Sequence, residues 1–201
     1  MSLSEREIRE IFDTLRRLTP AQQEWIKSVI HAFGAACQFV RAPDSDVVTD
    51  AVLASLGDRL LSHHAGSRQA LSKDRFEFAF ESALNSSGMV SQLVKSRTNR
   101  GDDITIRGIA VSLKTEAAAN IKNESIHVSK WMELGRGEWK LPRLLDLFLE
   151  HMQSYDRIFT FRRLKDEDAK IRYELVEIPK ALLLEAANCE LVVCANCHAG
   201  R

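Results

Sequence analysis

The stretch that decides the fold runs from Asp103 to Glu116 and reads DITIRGIAVSLKTE. Apolar and polar residues alternate along it, which is the period of a half-buried β-strand. The alternation breaks at Arg107-Gly108, where a two-residue turn predicts an antiparallel hairpin. In that hairpin Asp103 lies opposite Ser112, and Lys114 is a diagonal neighbour, with Cβ atoms about 7–8 Å apart. An acid and an amine are therefore expected on one wall of a pocket.

Helices are predicted before the hairpin. Ser4 followed by Glu7 has the form of a capping box, and Thr19-Pro20 has the form of a second helix start. A third helix is predicted around residues 52–61. Their apolar stripes are typical of a core or of a dimer face.

A fourth helix is predicted to begin near Ser72 and to direct Phe76, Phe80 and Ala83 inward. Glu77 and Glu81 are four residues apart, so they share one face of this helix. The helix therefore brings two carboxylates to the chain just before the hairpin.

After the hairpin, the patterns predict a helix over 144–152, strands over 157–163 and 170–177, and a helix over 179–187. Helices before and after a mixed sheet indicate an α/β or α+β fold with an N-terminal helical region. We expect residues 1–66 to form that helical region and residues 67–201 to form the core. The length of 201 residues favours one folding unit.

Composition excludes several classes of protein. Hydrophobic residues make up 45% of the chain and charged residues 28%, which is ordinary for a globular protein and leaves no room for wholesale disorder. The 28 Lys and Arg balance the 28 Asp and Glu, so a basic groove could exist only as a local feature. No apolar run approaches the roughly 20 residues of a membrane span, and no signal peptide is evident. A cytoplasmic protein is expected.

The four cysteines do not form the pattern of a secreted disulfide framework. Cys194 and Cys197, followed by His198, have metal-ligand spacing, and Cys189 lies nearby. Structural zinc usually requires a second ligand pair, and none is evident. Reduced thiols are the simpler interpretation.

Two segments of the hairpin resemble a known family. Gly101-Asp-Asp103-Ile104 and Val111-Ser-Leu-Lys114-Thr-Glu116 are similar to the aspartate and lysine elements of the PD-(D/E)xK nucleases, in particular the type II restriction endonucleases. The resemblance covers roughly residues 76–180. It implies a sequence-specific endonuclease that hydrolyses double-stranded DNA with Mg²⁺. The residues fit that chemistry, because Mg²⁺ takes carboxylate oxygens and a nearby lysine can orient the attacking water.

One position departs from the family pattern. Ser112 stands where the family usually has Asp or Glu, and a serine cannot be a charged metal ligand. Glu116 lies on the same face of the strand and is the first choice for the second carboxylate. Glu77 or Glu81 comes second, and Glu124 third. Asp103 is preferred to Asp102 as the first ligand, because it continues the polar phase of the strand.

The resemblance also implies partners. A homodimer on a two-fold DNA site is expected, since cutting both strands usually requires two active sites. The candidate DNA-contacting residues are Lys95, Arg97, Arg100, Arg107, Ser112 and Lys130. Three alternatives remain open: a non-catalytic DNA-binding domain with a degenerate nuclease fold, a repair or junction-resolving nuclease, and a merely solvated strand face with an exposed ion pair.

Overall fold

A computed structural model describes residues 2–94, 102–118, 121–126, 140–164 and 170–190. The chain divides into two compact units, Met1–Leu71 and Ser72–Arg201. Within the described residues, no helix is both long enough and apolar enough to cross a membrane. The single folding unit expected from the sequence stays a prediction.

The first unit contains three helices: α1 (Glu5–Arg17), α2 (Pro20–Gly34) and α3 (Asp50–His64). The capping box predicted at Ser4 is present, because the Ser4 and Glu7 side chains each bond the other's backbone N–H. Thr19 caps α2 in the same way with Gln22, and Pro20 follows it as predicted. The N-terminal ends of α1 and α2 are therefore fixed by local hydrogen bonds.

The second unit begins with α4 (Lys73–Ser86), whose N-cap is Ser72. The strands and later helices follow in the order β1 (Ser91–Leu93), β2 (Ile104–Ile106), β3 (Ile109–Glu116), α5 (Leu141–Met152), β4 (Arg157–Arg163), β5 (Tyr173–Ile178) and α6 (Lys180–Leu184), which continues as a 3₁₀ turn over Glu185–Asn188. The sheet order is β1-β2-β3-β4-β5, parallel between β3 and β4 and antiparallel elsewhere. A mixed sheet with helices confirms the predicted fold class.

The β2–β3 hairpin has the predicted register, with Ile106 opposite Ile109 and Thr105 opposite Ala110. Its two turn residues, Arg107 and Gly108, both have positive φ, at 50° and 82°. These are the backbone angles of a type I′ turn, whose twist matches that of the strands it joins. The turn therefore sets the register that brings Asp103 beside β3.

The two faces of the sheet are covered by different helices. Phe76 and Phe80 of α4 pack on Phe161 and Phe159 of β4, with ring centroids 4.4 Å and 5.9 Å apart. On the other face, Phe148 and Met152 of α5 join a buried cluster with Ile158, Ile178 and Leu183. The predicted inward direction of Phe76, Phe80 and Ala83 is confirmed, since all three are fully buried. This packing fixes the start of α4 relative to β3.

Candidate functional site

Asp103 lies directly before β2, and its carboxylate is held by the backbone of β3. The β2–β3 pairing covers only Ile104–Ile106, so the N–H of Leu113 lies beyond the paired stretch. That N–H donates to Asp103 Oδ2 at 2.6 Å, and the Ser112 hydroxyl donates to the same oxygen at 3.2 Å. The carboxylate orientation is therefore set by β3.

Lys114 approaches the same carboxylate from β3. Its Nζ lies 3.9 Å from Asp103 Oδ2, and its side chain is only 10% exposed. The hairpin therefore brings these two side chains together, as the register predicts. A buried ammonium beside a carboxylate is held in place, so it can orient a polar ligand by donating to it.

The first turns of α4 complete the site. The Lys73 ammonium lies 2.7 Å from Asp103 Oδ1 and 3.3 Å from Glu77 Oε1. Two carboxylates thus share one cation. We call Asp103, Glu77, Lys73 and Lys114 the Asp103 cluster.

The electrostatics of this cluster are uneven. Burial raises the pKa of Glu77, and the nearby Asp103 carboxylate raises it further, so that together they outweigh the opposing effect of Lys73. For Lys73, burial disfavours the charged form, but the hydrogen bonds and charges of Asp103 and Glu77 outweigh it and raise the pKa of Lys73. Glu77 is therefore a carboxylate whose negative charge is incompletely compensated.

The donor set fits a hard cation that keeps part of its water shell. Mg²⁺ is commonly bound by one or two carboxylates together with waters and substrate phosphates. Asp103 Oδ1 and Glu77 Oε1 supply two such oxygens, and the Lys73 ammonium between them shows that a cation fits there. Within the described part of the chain, no three His, Cys, Asp or Glu side chains form a metal-binding group.

Glu116, the first choice from the sequence, has a different partner. Its Oε2 accepts from Arg162 Nε at 3.0 Å, and Arg162 Nη1 donates to Glu174 at 2.7 Å. Arg162 Nη2 also donates to the carbonyls of Lys122 and Ser125, the latter at 2.7 Å. We call Arg162, Glu116 and Glu174 the Arg162 cluster. Glu116 therefore lies in a buried ion pair with Arg162, whereas Glu77 contacts the same ammonium as Asp103.

The other predicted site residues are placed as follows. Glu81 Oε1 accepts from the Leu93 N–H at 2.7 Å, which ties α4 to β1. Glu124 is exposed. Ser112 is fully buried and donates to Asp103 Oδ2, and its contact with DNA stays a prediction. Arg107 is exposed at the turn, and its contact with DNA stays a prediction.

Several predictions lie outside the described residues. These are the DNA contacts at Lys95, Arg97, Arg100 and Lys130, and the possible metal ligands Cys194, Cys197 and His198. Cys189 is described and is an exposed free thiol.

Sequence reasoning missed Lys73. Its spacing of four from Glu77 was visible, but such pairs are common on solvated helix faces. What singles out Lys73 is its contact with Asp103, thirty residues further along the chain. No local pattern predicts that contact, because it depends on the packing of α4 on the sheet.

Comparison with known proteins identifies relatives over most of the chain. Residues 11–199 match the family model described as SmaI, type II site-specific deoxyribonuclease. The chain is also 48% identical over 184 residues to the type II restriction enzyme SmaI of Serratia marcescens, in an alignment that covers 92% of this chain and 74% of the relative. No solved structure gives a significant match.

Proposed function

Because the chain belongs to the SmaI family of type II site-specific deoxyribonucleases, and is therefore a sequence-specific DNA endonuclease, we propose that it cuts double-stranded DNA at the Asp103 cluster with Mg²⁺ as cofactor. The observation that carries this proposal is the pair of carboxylates on one cation. Asp103 and Glu77 converge on the Lys73 ammonium, while Lys114 approaches Asp103 from β3.

Family membership also decides between the functions that the sequence left open. A restriction endonuclease is confirmed, since both the family and the relative are site-specific DNA-cutting enzymes. Ser112 had suggested a degenerate, non-catalytic site. In the proposed site Glu77 supplies the second carboxylate in place of Ser112, and the support for this is that Glu77 and Asp103 contact the same Lys73 ammonium.

In the proposed reaction, Asp103 and Glu77 would hold the cofactor. A bound Mg²⁺ would supply neutralisation of the charge on the scissile phosphate. The Lys114 ammonium has only hydrogen-bond donors. It therefore donates to a lone pair of the attacking water and stabilises the negative charge that develops on the phosphate. Ser112 and the Leu113 N–H keep the Asp103 carboxylate oriented throughout.

The partners are proposed on the same basis. A homodimer would place one Asp103 cluster on each DNA strand, which double-strand cutting requires of an enzyme with one active site per chain. Phosphate contacts are proposed for Arg107 and for Lys95, Arg97, Arg100 and Lys130. The working compartment would be the cytoplasm.

Cleavage of a long DNA that contains many short recognition sites tests the assignment. With Mg²⁺, the wild-type protein should yield discrete fragments, and Asp103→Asn and Glu77→Gln should yield none under the same conditions. Glu116→Gln serves as the matched carboxylate variant and should still yield the fragments, because Glu116 bonds Arg162. Loss of the fragments in Glu116→Gln with their retention in Glu77→Gln, both being folded, would contradict the choice of Glu77.

A further inference from the structure

The role of Lys73 is not explained by the proposed chemistry, which needs only two carboxylates and Lys114. Lys73 is the first residue of α4, and its side chain is 40% exposed. Its ammonium contacts both carboxylates of the proposed metal site. It therefore lies where a metal ion would be expected to lie.

The two oxygens of Asp103 have different surroundings. Oδ2 accepts from Leu113 N and from Ser112 Oγ, and the Lys114 ammonium lies 3.9 Å from it. Oδ1 has the contact with Lys73 at 2.7 Å. Because Oδ2 is committed to β3, Oδ1 is the oxygen available to a metal ion. Mg²⁺ binds oxygen at about 2.0–2.1 Å, so it cannot share that position with the ammonium.

The Lys73 side chain is more exposed than that of Lys114, at 40% against 10%. A cation in the first turn of a helix faces the positive end of the helix dipole, which disfavours it. Its long side chain also reaches solvent, so the ammonium can move from the carboxylates into water without crossing a buried region. The Asp103 and Glu77 carboxylates counter these effects, and they are the groups that a metal ion would take.

We propose that Lys73 is a displaceable counter-ion that competes with Mg²⁺ for Asp103 and Glu77. Its ammonium neutralises the two carboxylates before the metal arrives and leaves them when the metal binds. This inference rests on the proposed metal site. It adds that the affinity for Mg²⁺ is set below what the two carboxylates alone would give.

Calorimetric titration of the DNA-free protein with MgCl₂ tests the competition. Lys73→Met should bind Mg²⁺ about three- to tenfold more tightly than wild type, the change expected on removing part-exposed ion pairs. Lys73→Arg keeps the charge and should restore an affinity close to that of wild type. In EDTA, Lys73→Met should melt at a lower temperature than wild type. Added Mg²⁺ should raise its melting temperature by more than it raises that of wild type.

Two controls separate the possible failures. Lys27→Met removes a similar exposed ion pair, with Glu24, from a helix outside the site and should leave Mg²⁺ affinity unchanged. Asp103→Asn should abolish Mg²⁺ binding. If it does so while Lys73→Met binds Mg²⁺ no more tightly than wild type, the counter-ion role is overturned and the metal site stands. If Asp103→Asn binds Mg²⁺ as wild type does, the metal site itself is overturned.

Discussion

Strand β3 carries two charged clusters that differ sharply although Lys114 and Glu116 are only two residues apart. In the Arg162 cluster, the guanidinium is 1% exposed, and each of its three nitrogens donates to a carboxylate or a backbone carbonyl. In the Asp103 cluster, two carboxylates share the ammonium of a lysine whose side chain is 40% exposed. The first cluster is satisfied internally, whereas the second retains binding capacity.

The difference shows how a structural ion pair can be told from a binding site. A buried charge that is paired and fully hydrogen-bonded has nothing to gain from a ligand. A partly buried carboxylate with a raised pKa, beside a second carboxylate, gains from any added cation. The raised pKa of Glu77 and the partial exposure of Lys73 therefore favour the Asp103 cluster over the Arg162 cluster as a place where a cation binds.

The comparison is tested most strongly by removing one cation from each cluster. Lys114→Met should lower the rate of DNA cleavage by about 10²–10³-fold, the range for loss of one hydrogen-bond donor that stabilises charge developing in the transition state. Single-turnover cleavage of saturating DNA measures that rate. Lys27→Met is the matched control and should cut at the wild-type rate. A Lys114→Met enzyme that is folded and fully active would remove Lys114 from the mechanism.

Arg162→Met should act on stability instead. It leaves Glu116 buried without its partner, which should lower the free energy of unfolding by about 3–5 kcal/mol. Chemical denaturation measures the loss. The matched control is Arg157→Met on the same strand, which removes the more exposed Arg157–Glu177 pair and should cost about 1 kcal/mol or less. Equal losses for the two variants would refute the special status of the Arg162 cluster.

The hairpin half of the site could be predicted from the sequence because its geometry is local. Alternation and a two-residue turn were enough to place Asp103 opposite Ser112 and near Lys114. The same rule could not predict the partner of Glu116. Alternation gives the face of a strand but not the neighbour on that face, and Arg162 comes from a parallel strand forty-six residues away.

The contribution of α4 lay beyond local patterns for a similar reason. The sequence placed Glu77 and Glu81 on one helix face, yet their roles differ. Glu81 bonds the backbone of β1, while Glu77 joins Lys73 and Asp103. The packing of Phe76 and Phe80 on β4 decides this difference, because it sets the position of α4 on the sheet.

Glu77→Gln should increase stability, an effect that is smaller than that of Arg162→Met and opposite in sign. The folded pKa of Glu77 lies above its usual value of 4.5, so ionisation destabilises the fold as pH rises through the interval between the two values. In EDTA at neutral pH, the free energy of unfolding of Glu77→Gln should therefore exceed that of wild type by up to about 1 kcal/mol. Below about pH 4 the two should be equal. Thermal melts across this pH range measure both. A loss of stability at neutral pH would mean that Lys73 already compensates Glu77 fully.

The smallest effect is expected at the outer edge of the Arg162 cluster. Glu174 bonds Arg162 Nη1 at 2.7 Å, but its side chain is 40% exposed. Since water and salt screen such a group, Glu174→Gln should cost only a few tenths of a kcal/mol in the free energy of unfolding, and less in concentrated salt. Denaturation at low and high ionic strength measures the difference. A loss as large as that of Arg162→Met would mean that the cluster depends on all its charges together, and not on the buried pair of Arg162 with Glu116.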